Sequence, residues 1–325
     1  MIRYLIRRIL YGFLILIGVN LLTFLLFFAV NTPDDMARLN LGGKHVTAEA
    51  IEAWKAQRGY DKPLFFNEKA EGLAKATDTV FWTRSVSLFR FDFGTSDAGR
   101  SIASEIKTRM VPSLMLAVPT FILGVIVMVA WSLLVVMFRR TKLELAAVGL
   151  AVFLMSVSSL FYIIAGQWLF GKVMKLVPIS GWDDGPRVVV FLLLPVAISV
   201  FARLGGDTLL YRAMFLEEMG KEYVRCARSK GISEGAVMRR HVLRNAALPI
   251  VTSTVAVIPM LFMGSLLMES FFGIPGLGSY TIDAVNAQDF SIVRAMVFLG
   301  TAAYIVGLIL TDLVYCWVDP RIRLS

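Results

Sequence analysis

Residues 222–252 open with Glu222-Tyr223-Val224-Arg225-Cys226-Ala227-Arg228-Ser229-Lys230-Gly231-Ile232-Ser233 and close with His241-Val242-Leu243-Arg244-Asn245-Ala246-Ala247-Leu248-Pro249-Ile250-Val251-Thr252. They form a polar, basic island between two long apolar segments. The chain as a whole has 325 residues, of which 57% are hydrophobic and 18% charged. A soluble domain carries about a quarter charged residues, so this balance, with its long apolar runs, indicates an integral membrane protein. The island is too polar for hydrocarbon and too regular for a slack linker.

The formal net charge is +9. In a membrane chain Lys and Arg collect on the cytoplasmic side, and no basic run is interleaved with aromatics, so a nucleic-acid partner is excluded. Cys226 and Cys316 give no disulfide framework. His45 and His241 lie far apart, without Cys or carboxylate neighbours at ligand spacing, so the sequence offers no metal or cofactor site.

Working outward, the N-terminus carries Arg3, Arg7 and Arg8 ahead of an apolar run over residues 9–30. That run is long enough for a retained first span, with the arginines inside. Residues 31–111 are polar and mixed and are expected outside, as a mostly helical domain. Thr47 is placed to cap a helix over residues 48–58, with Gly59 as its stop. Residues 65–89 suggest a second helix and residues 101–109 a third leading into the membrane. Phe89-Arg90-Phe91-Asp92-Phe93-Gly94 reads either as a short ligand-facing strand or as a packed turn.

Further spans are expected over residues 113–138, 145–170, 188–204, 248–268 and 292–317, with a cytoplasmic loop over 205–247 and a cytoplasmic tail over 319–325. Residues 203–247 hold nine Lys and Arg, whereas residues 269–289 hold none beside Glu269, Asp283 and Asp289. Six spans with both termini inside satisfy this asymmetry.

Within the island, Phe215, Met219, Tyr223, Cys226 and Ala227 fall on one face of a helix running to Lys230. Gly231 is placed to stop it, Ser233 to cap a second short helix over residues 234–245, and Pro249 to open the next span. An amphipathic pair lying on anionic headgroups and a docking element for a cytoplasmic partner fit about equally well. An enzyme site fits poorly: no nucleophile elbow, zinc-protease motif or ligand cluster is present, so no catalytic residue is assigned.

Glu222-Tyr223-Val224-Arg225-x-Ala227-Arg228-x-Lys230-Gly231 with His241-x-Leu243-Arg244-Asn245-Ala246-x-Leu248-Pro249 closely resembles the coupling-loop motif of ABC importer permeases. The narrower likeness is to the dipeptide/oligopeptide/nickel branch. Arg3–Arg8, Gly59-Tyr60-Asp61-Lys62-Pro63-Leu64, Phe91-Asp92-Phe93-Gly94-x-Ser96, Glu269-x-x-Phe272-Gly273-Ile274-Pro275-Gly276-Leu277-Gly278, Asp289-Phe290 and Asp319-Pro320-Arg321-Ile322-Arg323 are similar to the branch along almost the whole chain. Cys226 stands where Thr is usual and Ser229 where Ala is usual. Arg225 occupies the place of the acid in the more general motif, and the external segment is stretched around residues 66–81.

The resemblance implies an all-α, six-span type I importer subunit of a bacterial inner membrane. Its implied partners are two ATP-binding subunits, a sister permease in a heterodimer, an external substrate-binding protein and membrane lipid. Coupling to the ATPase would fall to Glu222, Tyr223, Arg225, Ala227, Arg228, Lys230, Gly231, Ser233, Arg244 and Asn245. Gly273, Pro275, Gly276 and Gly278 mark either a re-entrant external turn facing the binding protein or a simple turn between helix ends. The chain lacks a phosphate-binding Gly-x-x-x-x-Gly-Lys-Ser/Thr, so ATP hydrolysis is expected in a partner. Peptides are the implied cargo. The alternatives are an ion-coupled carrier or a channel subunit. Both are disfavoured, because the spans show little ionisable character beyond Asp312 and no charged ring or filter.

Overall fold

The computed structural model describes residues 2–30, 32–42, 46–68 and 71–318. The tail with Arg321 and Arg323 lies outside the described residues, as do His45 and the side chains of Arg3 and Cys316. Among the described residues the regular structure is helical, apart from an isolated bridge between Thr95 and Ser101.

Helix α1 spans Ile2–Val30. Thr32 then caps α2 (Pro33–Asn40) through a reciprocal box with Asp35. Helix α3 (Ala48–Arg58) starts where expected, with the Thr47 hydroxyl accepting the Ala50 N–H, and stops at a left-handed Gly59. The expected helix over residues 65–89 is broken. It retains α4 (Ala74–Thr77), a π-turn at Trp82–Val86 and a 3-10 turn at Ser87–Arg90. The stretch around Phe91 is a turn, with Phe91 at φ 57° and the Asp92 N–H returning to the Ser87 carbonyl at 3.2 Å.

Helix α5 (Ile102–Met137) carries Pro112 and Pro119 within it. The expected span over residues 145–170 is instead α6 (Lys142–Ser156) followed by α7 (Ser159–Gly166) and a π-turn, the pair bent by 92°. The cause is local: Val157 is extended and the Ser158 hydroxyl caps the new helix, and Ser residues and β-branched Val compete poorly for helix interiors. Helix α8 (Val188–Met219) runs fifteen residues beyond the expected end at Leu204. Then come α9 (Glu222–Ser229), α10 (Glu234–Val237), a π-turn at Met238–Leu243 and α11 (Arg244–Val255), which contains Pro249 in its interior and not at its start. The expected span over residues 248–268 is interrupted by a 3-10 turn at Ile258–Met263 and by Gly264, before α12 (Leu266–Phe272), α13 (Leu277–Asn286) and α14 (Phe290–Val318).

Five helical stretches are long and apolar enough to cross a membrane, and the bent pair brings the number to six if it counts as one crossing. Apolar side chains stay exposed along them, as at Leu14 and Leu22 of α1, which suits a lipid-facing surface.

The chain folds as two compact units. One comprises Ile2–Thr108 and Asp283–Ala302. Its core joins Phe24 and Phe28 of α1 to Met36, Ile51, Trp54, Tyr60 and Val80. The other comprises Arg109–Ile282 and the part of α14 from Ala303 onward. It has two apolar clusters. One links α5, α7, α8 and α12 through Leu116, Ile163, Val196, Met268 and Phe272. The second gathers around the basic island.

Candidate docking surface

That second cluster explains how the island is held. Phe215 and Met219 at the end of α8 meet Val224 and Ala227 of α9, together with Val237, Met238, Val242 and Ala246 beyond the corner. Met128 and Val136 of α5 close it. Burying a Val, Phe or Met side chain stabilises by roughly 1.5–3 kcal/mol, so α9 is fixed to the ends of α5, α8 and α11. The buried face is Val224 and Ala227. It is not Tyr223 and Cys226, which are exposed. The sequence pattern placed those two inside by running one helix through Gly220. The chain turns at Gly220 and Lys221, where Lys221 is extended, and the helical phase restarts.

The corner itself is formed by Gly231 at φ 75°, with its N–H on the Arg228 carbonyl at 2.9 Å. A side chain there would strain the left-handed backbone, and nothing lies within 4 Å of where a Cβ would stand. Gly231 therefore serves the turn and leaves open space above it. Ser233 sits at the start of α10, but its hydroxyl makes no capping bond; its carbonyl accepts the N–H of Ala236 and Val237, each at 2.9 Å. What clamps the two arms is Arg228, whose Nε and Nη2 donate to the two oxygens of Glu234 at 2.8 and 3.2 Å.

Of the ten residues expected to couple, Ala227 is spent on the chain's own core and Arg228 is half-buried. Glu222, Tyr223, Arg225, Lys230, Gly231, Ser233, Arg244 and Asn245 are exposed. The Arg225–Glu222 pair at 2.9 Å and the Lys221–Glu217 pair at 3.2 Å lie in solvent and contribute little to stability. Tyr223 donates its hydroxyl to Glu218. Partial burial and the neighbouring Glu218 carboxylate push the phenol pKa up to about 12, so it stays a protonated donor. Beside the clamp lies a cavity of about 350 Å³ lined by Val136, Arg139, Met219, Arg228, Glu234 and Met238. Such a surface, apolar underneath and charged on its rim, suits a protein partner. Among the described residues no three His, Cys, Asp or Glu gather as metal ligands would.

Two supports escaped the sequence reading. Arg212 of α8 donates to Glu144 at the start of α6, whose other oxygen accepts the Arg140 N–H at 2.6 Å. The turn before α6 is thereby tied to the extended end of α8. Sequence spacing gives no sign of this pairing across 68 positions.

The turn at residues 273–278 joins two helix ends. Gly273 closes α12 in the left-handed conformation and α13 begins at Leu277. Gly273 is exposed and Pro275 half-buried, whereas Gly276 and Gly278 are buried. A Cβ on Gly276 would come within 2.3 Å of the Glu269 carboxylate and 2.5 Å of the Ser113 hydroxyl, and one on Gly278 within 2.6 Å of the Ser265 backbone. Packing leaves no room for a side chain at either glycine, against the Glu269 carboxylate at Gly276 and the Ser265 backbone at Gly278. Glu269, read from the sequence as an external charge, is fully buried.

Comparison with known proteins agrees with this architecture. Residues 108–324 match the family described as binding-protein-dependent transport system inner membrane component, and residues 1–79 its N-terminal counterpart. The chain is 30% identical over 331 residues to the glutathione transport system permease protein GsiC of Shigella flexneri serotype 5b. It is 29% identical to the proteins of that name from Escherichia coli K12 and Salmonella choleraesuis. In each case 99% of both chains is covered. With its helical spans and its anchored polar island, the chain belongs to the binding-protein-dependent inner-membrane components, as a permease subunit of an ABC importer of the dipeptide/oligopeptide type.

Proposed function

We propose that residues 220–233, with Arg244 and Asn245 beside them, dock on an ATP-binding subunit and transmit its closure to α8 and α11. The observation that carries this reading is the division of α9 into two faces. Val224 and Ala227 are locked into the cluster at the ends of α5, α8 and α11, while Glu222 and Arg225, with Lys230 just past the helix end, are exposed. A partner that pulls on the charged face moves three long helices as one body, which is what a rigid-body alternating-access switch requires.

On this reading ATP is hydrolysed by two partner subunits, and a sister permease completes the pathway. A binding protein delivers cargo to the opposite side, where residues 31–111 lie, and both termini are cytoplasmic. The nine basic residues of 203–247 support that orientation. The relatives named for glutathione transport support a peptide cargo.

A single cysteine at Arg225 or Lys230, with Cys226 and Cys316 replaced by Ser, tests the docking. Cross-linking to an ATP-binding subunit in the assembled transporter is the expected result. Labelling only by lipid-attached probes would assign the loop to the membrane surface instead.

A further inference from the structure

The unit built from Ile2–Thr108 and Asp283–Ala302 holds a cavity of about 280 Å³ whose walls include Arg58, Lys62, Arg84, Ser87, Asp92 and Arg294. Two of these cations are already paired, Arg58 with Asp97 at 3.2 Å and Lys62 with Asp78 at 2.6 Å. Asp92 accepts the Gly94 N–H at 3.1 Å. Arg84 and Arg294 form no ion pair among the described residues. Arg84 donates to the Arg58 carbonyl at 2.7 Å and lies over the Tyr60 ring. Arg294 is 6% exposed, lies over Phe24 and Phe28, and donates one bond to the Ser85 hydroxyl at 2.8 Å, while its Nε has no hydrogen-bond partner.

A guanidinium removed from water needs a counter-charge, and among the described residues no carboxylate forms an ion pair with Arg294. The cavity's depth narrows what can supply it. Arg294 is four residues into the apolar stretch Phe290–Val314, about 6 Å along the helix axis from its start. Phe28, under the same guanidinium, lies two residues before the end of α1 and of its apolar run at Val30. The cavity thus sits within about one turn of where both helices and their apolar runs end, the level at which the headgroups of a bilayer would begin. A planar, weakly hydrated guanidinium suits a phosphate there better than an ammonium would.

We propose that this cavity is a phosphate-binding site that receives the phosphodiester of an anionic phospholipid headgroup between Arg84 and Arg294.

The test uses the full chain with its partner subunits in nanodiscs of phosphatidylcholine with phosphatidylglycerol, extracted into detergent and read by native mass spectrometry. The wild type is expected to retain phosphatidylglycerol in preference to phosphatidylcholine. Arg84→Gln and Ser87→Asp, which remove a cation and add an anion at the wall, are expected to weaken retention about fivefold or more. Arg294→Gln also removes the bond to Ser85, so Arg84→Gln and Ser87→Asp carry the test, each checked for unchanged thermal unfolding. A second arm adds inorganic phosphate to protein in phosphatidylcholine alone. Stabilisation of the wild type but not of Arg84→Gln by phosphate, without lipid retention, would keep the site and identify a soluble anion as its ligand. Equal retention by wild type and both variants, with no response to phosphate, overturns the proposal. A loss of binding-protein affinity in Arg84→Gln with phosphate and lipid unaffected would also overturn it, in favour of an acidic peptide.

Discussion

The carboxylate of Glu269 accepts the backbone N–H of Gly278 at 2.6 Å, nine positions on in the chain. The same oxygen accepts from Ser279 at 3.2 Å, and the other accepts from Ser265 at 3.0 Å. The Ser113 hydroxyl beside it accepts the Leu277 N–H at 2.8 Å, tying α5 to the start of α13. One buried acid thus satisfies the orphan donors at the starts of two helices, α12 and α13.

Glu269→Ala leaves three N–H groups without an acceptor, and each buried loss costs about 1–3 kcal/mol. Glu269→Gln keeps one acceptor oxygen and turns the other side into a donor, so its cost should be smaller. Thermal unfolding of the purified permease checks the order. A Gln variant as unstable as the Ala variant would contradict the acceptor role.

Asp289 predicts a pH dependence. It is 5% exposed and accepts the N–H of Asp97 at 2.7 Å and of Ile292 at 3.2 Å. Burial, with the like charge of Asp97 adding to it, outweighs those donors and holds the carboxyl above its ordinary value. A raised folded pKa contributes stability that is fully present below the unfolded value, about 4, and is lost as pH rises through the folded value. The melting temperature of the wild type relative to Asp289→Asn should therefore rise on acidification. A difference that stays flat with pH would refute this.

Ala227 and Arg225 should fail in different ways. Ala227→Arg forces a long cation into the cluster of Phe215, Val237 and Met238, and is expected to reduce accumulation of folded protein. Arg225→Glu changes only an exposed charge, and should leave folding intact while lowering ATP-driven uptake. Size-exclusion profiles and transport in vesicles separate the two. Wild-type uptake in Arg225→Glu would show that this charge takes no part in coupling.

The Glu144–Arg212 bridge is open to a double-mutant cycle. Both side chains are largely shielded, at 14% and 26% exposure; the bridge runs through the Arg212 Nη2, and its Nε has no hydrogen-bond partner. Arg212→Ala is expected to cost about 1–3 kcal/mol, less than the ~3–5 of a fully enclosed pair. Glu144→Ala combined with Arg212→Ala should cost less than the sum of the single changes. Additive costs in chemical unfolding would mean that the bridge does not couple α6 to α8.

Composition and charge asymmetry were enough to identify a multi-span membrane chain, because hydrocarbon and surface potential act on residue type regardless of tertiary detail. The caps at Thr47 and Gly59 and the corner at Gly231 were legible too, since they rest on one residue's own conformational preference. What tertiary structure decided depends on which residues meet. The restart of helical phase at Lys221 turned Val224 inward in place of Tyr223, against the cluster at the end of α8. It also gave Ala227 to the protein's own core and enclosed Glu269 and Arg294. A charge two elements away leaves no trace in local spacing, so an acid that reads as surface can be the one the fold is built around.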